Sequence, residues 1–306
     1  MDRDVLVVGE SLVDVVRTAD GSTREYAGGS AANVAVALAR LGRPVRFATS
    51  FSDDEHGALL REHMERAGVS FATDPLVVDR TSTALATIGA DGAARYTFDL
   101  EWRLGPLVEE PEPPLAVHVC SLGAVIEPGC DDVLMLVERL HEDATITYDI
   151  NARPAITGTG AGVVAVVERV VALADVVKAS DEDLEAFWPD RDHATAATAL
   201  LDLGPSAVVV TRGAGGATWF GRDLVVEAAT EPVVVADTIG AGDTFGAALV
   251  DGLWERDLLG GDRRGALADI SRDVVAEVLA RAVRAAAVTV SRPGADPPYR
   301  HELERA

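Results

Sequence analysis

Short β-branched runs alternate with longer Ala- and Leu-rich stretches along most of the chain. The runs fall at 5–8, 45–49, 116–120, 145–149, 175–178 and 207–211. Helices are predicted over 31–41, 57–67, 131–141, 195–203, 243–256 and 272–289, with Gly42, Gly68 and Gly204 closing the first, second and fourth of them. Strand and helix in alternation predict an α/β protein built on a doubly wound, mostly parallel sheet.

Two stretches, 14–26 and 76–100, break this alternation. The second carries strand patterns at 81–88 and 94–98 on either side of Asp91-Gly92, a dipeptide suited to a hairpin turn. Residues of about 12–27 and 76–102 are therefore expected to form a small β-sheet lid inserted in one domain that spans 1–306. An apolar face exposed on such a lid invites a second copy of the chain, so a homodimer through the lid is expected. Tyr96, Phe98 and Trp102 lie near it, and two readings are open for them: contact with a bound sugar, or packing within the lid.

The densest chemistry lies in residues 235–245, Val-Ala-Asp-Thr-Ile-Gly-Ala-Gly-Asp-Thr-Phe, read as a β-branched strand, a glycine turn, an acid and an amphipathic helix. Gly240, Ala241 and Gly242 leave backbone N–H groups free to face an anion at a helix start, where the helix dipole favours negative charge. Asp243 stands beside that anion. A carboxylate there is placed to take a proton from an attacking hydroxyl while the amides hold charge on a transferred phosphoryl group. The competing reading is a plain strand-to-helix turn with an ordinary acid in its first turn. No G-x-x-x-x-G-K-[ST] loop is present, and no G-x-G-x-x-G opens a helix after the first strand, which disfavours a Walker NTPase or an NAD enzyme.

Composition narrows the partners. A chain of 306 residues that is 48% hydrophobic can build one large core, and a formal charge of −23 repels nucleic acid and anionic membrane surfaces. A small molecule is the expected substrate, and ATP remains compatible, because amides, Arg side chains and Mg²⁺ act locally. Cys120 and Cys130 make neither a disulfide framework nor a zinc pattern. With no signal-type apolar region at the start and no run of spanning length, a cytoplasmic protein is expected. His118 and His141 read as structural, and Arg263-Arg264 as solvated surface.

In an open parallel sheet ligands bind beyond the carboxyl ends of the strands. Polar residues recur there: Asp14 after the first run, Gly28-Gly29-Ser30-Ala31-Ala32-Asn33 at a helix start, Asn151 and Arg153 after the fourth run, Ser180 and Asp183 after the fifth, and Gly213 after the sixth. Asp14 and Asn33 have the chemistry to hold sugar hydroxyls, and Arg153 to clamp a phosphate, although turn acids, cap amides and surface ion pairs use the same residues.

Two motifs in order, residues 28–42 (Gly-Gly-Ser-Ala-Ala-Asn-Val-Ala through Ala-Arg-Leu-Gly) and residues 237–245, resemble the two signatures of the PfkB/ribokinase family of carbohydrate kinases, and the likeness extends over essentially the whole chain. The resemblance implies that Asp243 is the base and that Gly240, Ala241 and Gly242 supply the anion hole. It also implies that Asp14, Gly28, Gly29, Asn33 and Asn151 bind the sugar. Arg153 sits in Asp149-Ile150-Asn151-Ala152-Arg153, similar to the family's Asp-Pro-Asn-x-Arg, with Ile150 in place of Pro, and would meet substrate and transferring phosphate. Thr211, Gly213 and Gly216, with Ser291 of Ser-Arg-Pro-Gly-Ala, would border the nucleotide, and Asp237 lies where family members often bind a monovalent cation such as K⁺. Ser180-Asp181-Glu182-Asp183 stands where the family usually has Asn-x-x-Glu, so Asp183 would reach Mg²⁺ through water with a shorter arm. The implied cofactors are ATP and Mg²⁺, with K⁺ a candidate.

Residues 31–42 and 291–295 look most like fructokinases, making fructose the leading acceptor. A 2-keto-3-deoxygluconate or ribose kinase shares the scaffold. No Lys/Arg cluster accompanies the lid to favour a phosphosugar, although Arg80, Arg95 and Arg103 leave room for one. A different class also stays open: a sugar-binding sensor that has lost catalysis.

Overall fold

The computed structural model describes residues 3–18, 21–88, 94–108, 112–230 and 232–304. Its strands are β1 (Val5–Val8), β2 (Leu12–Arg17), β3 (Thr23–Gly28), β4 (Val45–Ala48), β5 (Ser70–Phe71), β6 (Thr83–Ile88), β7 (Ala94–Asp99), β8 (Ala116–Cys120), β9 (Thr145–Asp149), β10 (Val176–Ser180), β11 (Ala207–Thr211), β12 (Ala217–Gly221) and β13 (Val225–Ala228). Its helices are α1 (Ser30–Arg40), α2 (Glu55–Ala67), α3 (Gly129–Leu140), α4 (Pro154–Thr157), α5 (Ala161–Leu173), α6 (Asp181–Phe187), α7 (His193–Leu201), α8 (Ala241–Glu255), α9 (Arg264–Ala268), α10 (Arg272–Val290) and α11 (Arg300–Leu303).

Among the described residues the larger sheet has nine strands in the order β13-β12-β11-β10-β9-β8-β1-β4-β5. From β5 to β11 the pairing is parallel, and β12 and β13 add an antiparallel edge that the sequence pattern missed. Successive residues of a strand face opposite sides, so the run in β1 feeds two cores at once. Val5 and Val7 pack with α1, α8 and α10, through Leu38, Leu249, Leu253 and Leu279. Leu6 and Val8 pack on the far side with α3, α5 and α7, through Val133, Val137, Val170 and Leu200. With helices on both faces, the carboxyl ends of β1, β8, β9, β10 and β11 share one open edge.

A second sheet, β3-β2-β6-β7, accounts for the two stretches that break the alternation. Val13, Val15 and Ala27 pack one of its faces against Phe51, Leu59, Leu60 and Phe71. Its opposite face carries the register row Tyr26, Asp14, Ala84, Phe98, so Asp14 stands in mid-strand rather than in a turn. Tyr96 and Phe98 stack at 6.2 Å and stay exposed. Trp102 is buried instead: its Nε1 donates to Gly123 O at 3.0 Å, and a Cβ on Gly129 would lie 2.2 Å from the indole. Trp102 thus packs neither on a sugar nor within the lid: it joins the core beneath the larger sheet, with Val117 and Val133. The Asp91-Gly92 turn and the Arg95 side chain lie outside the described residues.

Two further expectations are corrected. The valines before the glycine turn form no strand: Val234 is 88% exposed, and the Ala236 and Asp237 N–H groups both turn to Val290 O. Nor is Arg264 simply solvated. It pairs with the buried Asp175 at 2.7 Å and donates to the carbonyls of His141 and Ala144, tying α9 to the end of α3 and the start of β9.

Candidate active site

α1 and α8 pack side by side, and their N-termini meet at the open edge. Gly240 precedes α8 at φ 74°, a left-handed conformation that glycine adopts without strain, and a Cβ there would lie 2.7 Å from Ala295 Cβ. Ala241, Gly242 and Asp243 then occupy the first turn, whose N–H groups have no acceptor within the helix. Asp243 is 7% exposed. Its Oδ1 accepts from Ser30 Oγ at 2.7 Å and its Oδ2 from Asn33 Nδ2 at 2.8 Å, so the opening of α1 holds the acid of α8.

The glycine pair before α1 does separate work at each position. A Cβ on Gly28 would sit 2.3 Å from Asp14 Oδ2, so Gly28 makes room for that carboxylate. Gly29, at φ 101°, lies against the backbone of the β1–β2 turn, where a Cβ would come within 2.8 Å of Glu10 O. With no side chain at the cap, the Ser30 N–H is taken by Glu10 Oε1, while Glu10 Oε2 accepts from Gly123 N at 2.8 Å. Burial raises Glu10 from its ordinary 4.5 to about 7, against backbone donors and the Arg153 charge. Asp14 is raised by burial to about 6, with Arg153 opposing. Glu10, Asp14 and Arg153 thus share one electrostatic neighbourhood.

The segment after β9 closes the same corner. Asn151 has φ 38°, its Nδ2 donates to Ser30 Oγ at 2.8 Å, and its carbonyl accepts from Ser121, itself at φ 51°. Arg153 Nη1 donates to Asn151 Oδ1 at 2.6 Å. Ile150, standing where the resemblance leads one to expect Pro, uses its N–H to bond Lys178 O at 2.9 Å, which Pro could not do.

Below the first turn of α8 lies a buried ion pair. Lys178 Nζ contacts Asp149 at 2.8 and 3.0 Å, and a Cβ on Gly242 would be 3.5 Å from that nitrogen. Burial opposes the lysine's charge, but Asp149, Asp183 and Asp243 outweigh it and lift its pKa, so the pair is ionic. His118, beside it, is kept neutral by burial and the Lys178 charge, its pKa falling to about 3, with Nδ1 on Thr147 Oγ1.

Asp183 serves its own helix. It forms a capping box with Ser180, accepting from Ser180 N through Oδ2 and from Ala152 N through Oδ1, each at 2.7 Å. Thr211 ends β11, and the following turn holds Gly213 at φ 48° beside open space and Gly216 at φ 85°, where a Cβ would strike Ala228 O at 2.1 Å. Asp237 accepts from Ile239 N and Gly294 N, which ties the glycine turn to the segment after Ser291 and holds its carboxyl below the usual range. Hence Asp243, Gly240, Asn33, Asn151 and Arg153 form one connected cluster. Thr211, Gly213 and Gly216 sit further along the edge, and Ser291 bonds back to Val288 O in its own helix.

Over residues 2–302 the chain matches the profile of the pfkB family carbohydrate kinases. The chain belongs to the PfkB family. It is 32% identical to a fructokinase of Rhizobium leguminosarum bv. trifolii over 265 residues, covering 83% of this chain and 81% of that protein. A fructokinase of Klebsiella pneumoniae is 30% identical over the full length of both chains. The structure of a Xylella fastidiosa fructokinase with bound ATP superposes with a TM-score of 0.85 at 25% identity, covering 99% of this chain and 98% of that one.

A PfkB kinase passes a phosphoryl group to an alcohol of a carbohydrate, and the donor set here suits that transfer. Among the described residues no group of three or more His, Cys, Asp or Glu side chains is placed to hold a metal ion. Nor, among them, is any helix long and apolar enough to cross a membrane.

Sequence reasoning passed over Glu10 and Lys178. A lone cation inside an apolar strand run was the available signal for Lys178, since a buried charge needs a partner. Glu10 offered only its place after β1.

Proposed function

We propose that this PfkB kinase transfers the γ-phosphoryl group of ATP to a hydroxyl of fructose. The observation that carries the reading is Asp243, a nearly buried carboxylate in the first turn of α8, held on both oxygens by the α1 opening and next to the N–H groups of the glycine turn. Asp243 takes the proton of the attacking hydroxyl, while Gly240, Ala241 and Gly242 receive charge from the transferring phosphoryl group. Asp14, Gly28, Gly29, Asn33 and Asn151 hold the sugar, and Arg153 orients sugar and phosphate. ATP would be held along Thr211, Gly213, Gly216 and Ser291, and Asp183 would reach its Mg²⁺ through water, the ion supplying positive charge against the phosphates. Asp237 offers a carboxylate to a monovalent cation such as K⁺.

Fructose is favoured by the two fructokinase relatives and by acid-rich surroundings at the sugar end, where Glu10 and Asp14 flank Arg153. Arg80 offers little to a phosphosugar, because Asp99 at 2.9 Å and Glu101 at 3.4 Å already engage it. The second sheet acts as a lid over the sugar, and its exposed Tyr26, Tyr96 and Phe98 meet a second copy of the chain.

The test is ADP release by purified protein with ATP and Mg²⁺, against fructose, ribose, 2-keto-3-deoxygluconate and fructose 6-phosphate, with and without K⁺. Selective turnover of fructose is expected. Selective turnover of another sugar refutes the acceptor but not the kinase, and thermal stabilisation by a sugar without turnover supports the sensor reading instead.

A further inference from the structure

We infer that Ser30 is a positioning residue, the one side chain through which Arg153 and Asn151 hold the acid of α8 in its working orientation. The inference rests on the reading of Asp243 as the base. It follows from the direction of four hydrogen bonds. A guanidinium can only donate, so Arg153 Nη1, 2.6 Å away, fixes the Oδ1 end of Asn151 toward itself. The Asn151 amide nitrogen must then face Ser30 Oγ, to which it donates at 2.8 Å. With that lone pair used, the Ser30 hydroxyl points its single proton at Asp243 Oδ1, 2.7 Å away, and a carboxylate can only accept. Asn33 donates to the other oxygen at 2.8 Å. The chain Arg153, Asn151, Ser30, Asp243 therefore runs in one sense from a cation to an acid, and each donor polarises the next.

Ser30 is itself pinned. The residue is 6% exposed, and its N–H is held by the buried Glu10 carboxylate. The groups on either side of Ser30 belong to different elements: Asn151 follows β9, and Asp243 lies in the first turn of α8. Nothing in the local sequence of either element sets their relative orientation. Ser30, at the start of α1, is the atom-by-atom link between them, while Asn33 supports only the second oxygen. Removing the Ser30 hydroxyl leaves Asp243 Oδ1 without its donor, held by Asn33 on Oδ2 alone, and leaves the Asn151 amide without its acceptor. Of the residues read as holding the sugar, Asn151 alone loses a partner, so binding carried by Asp14, Gly28, Gly29 and Asn33 changes little.

The test is a double-substitution cycle of Ser30→Ala with Asp243→Asn, measuring kcat, KM for fructose and ATP, fructose affinity by calorimetry, and Tm. Ser30→Ala is expected to lower kcat about 10- to 100-fold, the loss of one hydrogen bond to a charged group, with fructose affinity within about threefold of wild type. In the Asp243→Asn background the same change is expected to cost less than about twofold, since there is no carboxylate left to orient. An equal loss in both backgrounds means that Ser30 acts on the fold and overturns the inference, as does an unchanged kcat in Ser30→Ala alone. Full turnover by Asp243→Asn overturns the base reading and the inference with it. Should Ser30→Ala fail to fold, Ser30→Cys under reducing conditions carries the same cycle, because a thiol is a poor donor of nearly the same size.

Discussion

Lys178→Met removes a cation from beneath the first turn of α8 and leaves Asp149 stranded. The two side chains are 6% and 1% exposed, so neither charge has water to fall back on. Asp149 is already raised to about 6 by burial, with Asp183 and Asp243 adding to the effect of burial and Lys178 opposing it. Without Lys178 the remaining neighbours are acids. Breaking a buried ion pair by deleting one partner costs about 3–5 kcal/mol, because the other charge is left uncompensated. For a chain of 306 residues 1 kcal/mol corresponds to roughly 1.5 °C, so Tm should fall by about 5–8 °C. Removing both charges in Lys178→Met/Asp149→Leu should recover most of that loss, since two apolar side chains of similar length fill the space without a desolvated charge. Scanning calorimetry of the wild type, both single variants and the double variant gives the coupling directly. A fall below about 2 °C in Lys178→Met, or a double variant as unstable as the single one, would show that the pair is not an ionic unit and would refute the reasoning.

Asp243→Asn should lower kcat by about 10²- to 10⁴-fold while sugar affinity measured by calorimetry stays close to wild type, as expected for loss of a general base. Gly29→Ala places a Cβ 2.8 Å from Glu10 O and 3.0 Å from Ser11 Cα at φ 101°, so steady-state kinetics should show KM for the sugar rising at least about tenfold with KM for ATP little changed. Glu10 titrates near 7 when folded and near 4.5 when unfolded, so between those values the folded chain keeps a proton that the unfolded chain has released. Its contribution is therefore complete below about 4.5 and fades as pH rises to about 7, a change of about 3 kcal/mol. Denaturant melts of wild type and Glu10→Gln across that window should differ in slope; parallel pH profiles would refute it.

How far the chain could be read without coordinates depended on how local each decision was. The runs 5–8, 116–120, 145–149 and 207–211 coincide with β1, β8, β9 and β11 residue for residue, because strands buried on both faces are built mostly of apolar and β-branched residues, and that pattern is written in consecutive residues. Glycine-bounded helices and the two family motifs are likewise local, and they delivered α1, α8 and the residues at their openings. The valines at 233–235 show where local reading fails. Their β-branched character favours a strand, yet a strand needs a partner, and the residues that follow them bond Val290 O at the end of α10 instead. Partnership also decided the buried polar residues. Glu10 and Arg264 look in sequence like many surface charges, and Lys178 is marked only by its apolar neighbours in the run. Only the approach of Gly123, Asp149 and Asp175, from distant parts of the chain, makes them a clamp, an ion pair and a tie between elements. The orientation of Asp243 belongs with these: the residue was visible in its motif, but the direction its carboxylate faces is set by Ser30 and Asn33, more than two hundred residues earlier. Hydrogen bonds are directional and close-range, so they are fixed by where the fold brings donors and acceptors, and a linear pattern carries no record of that.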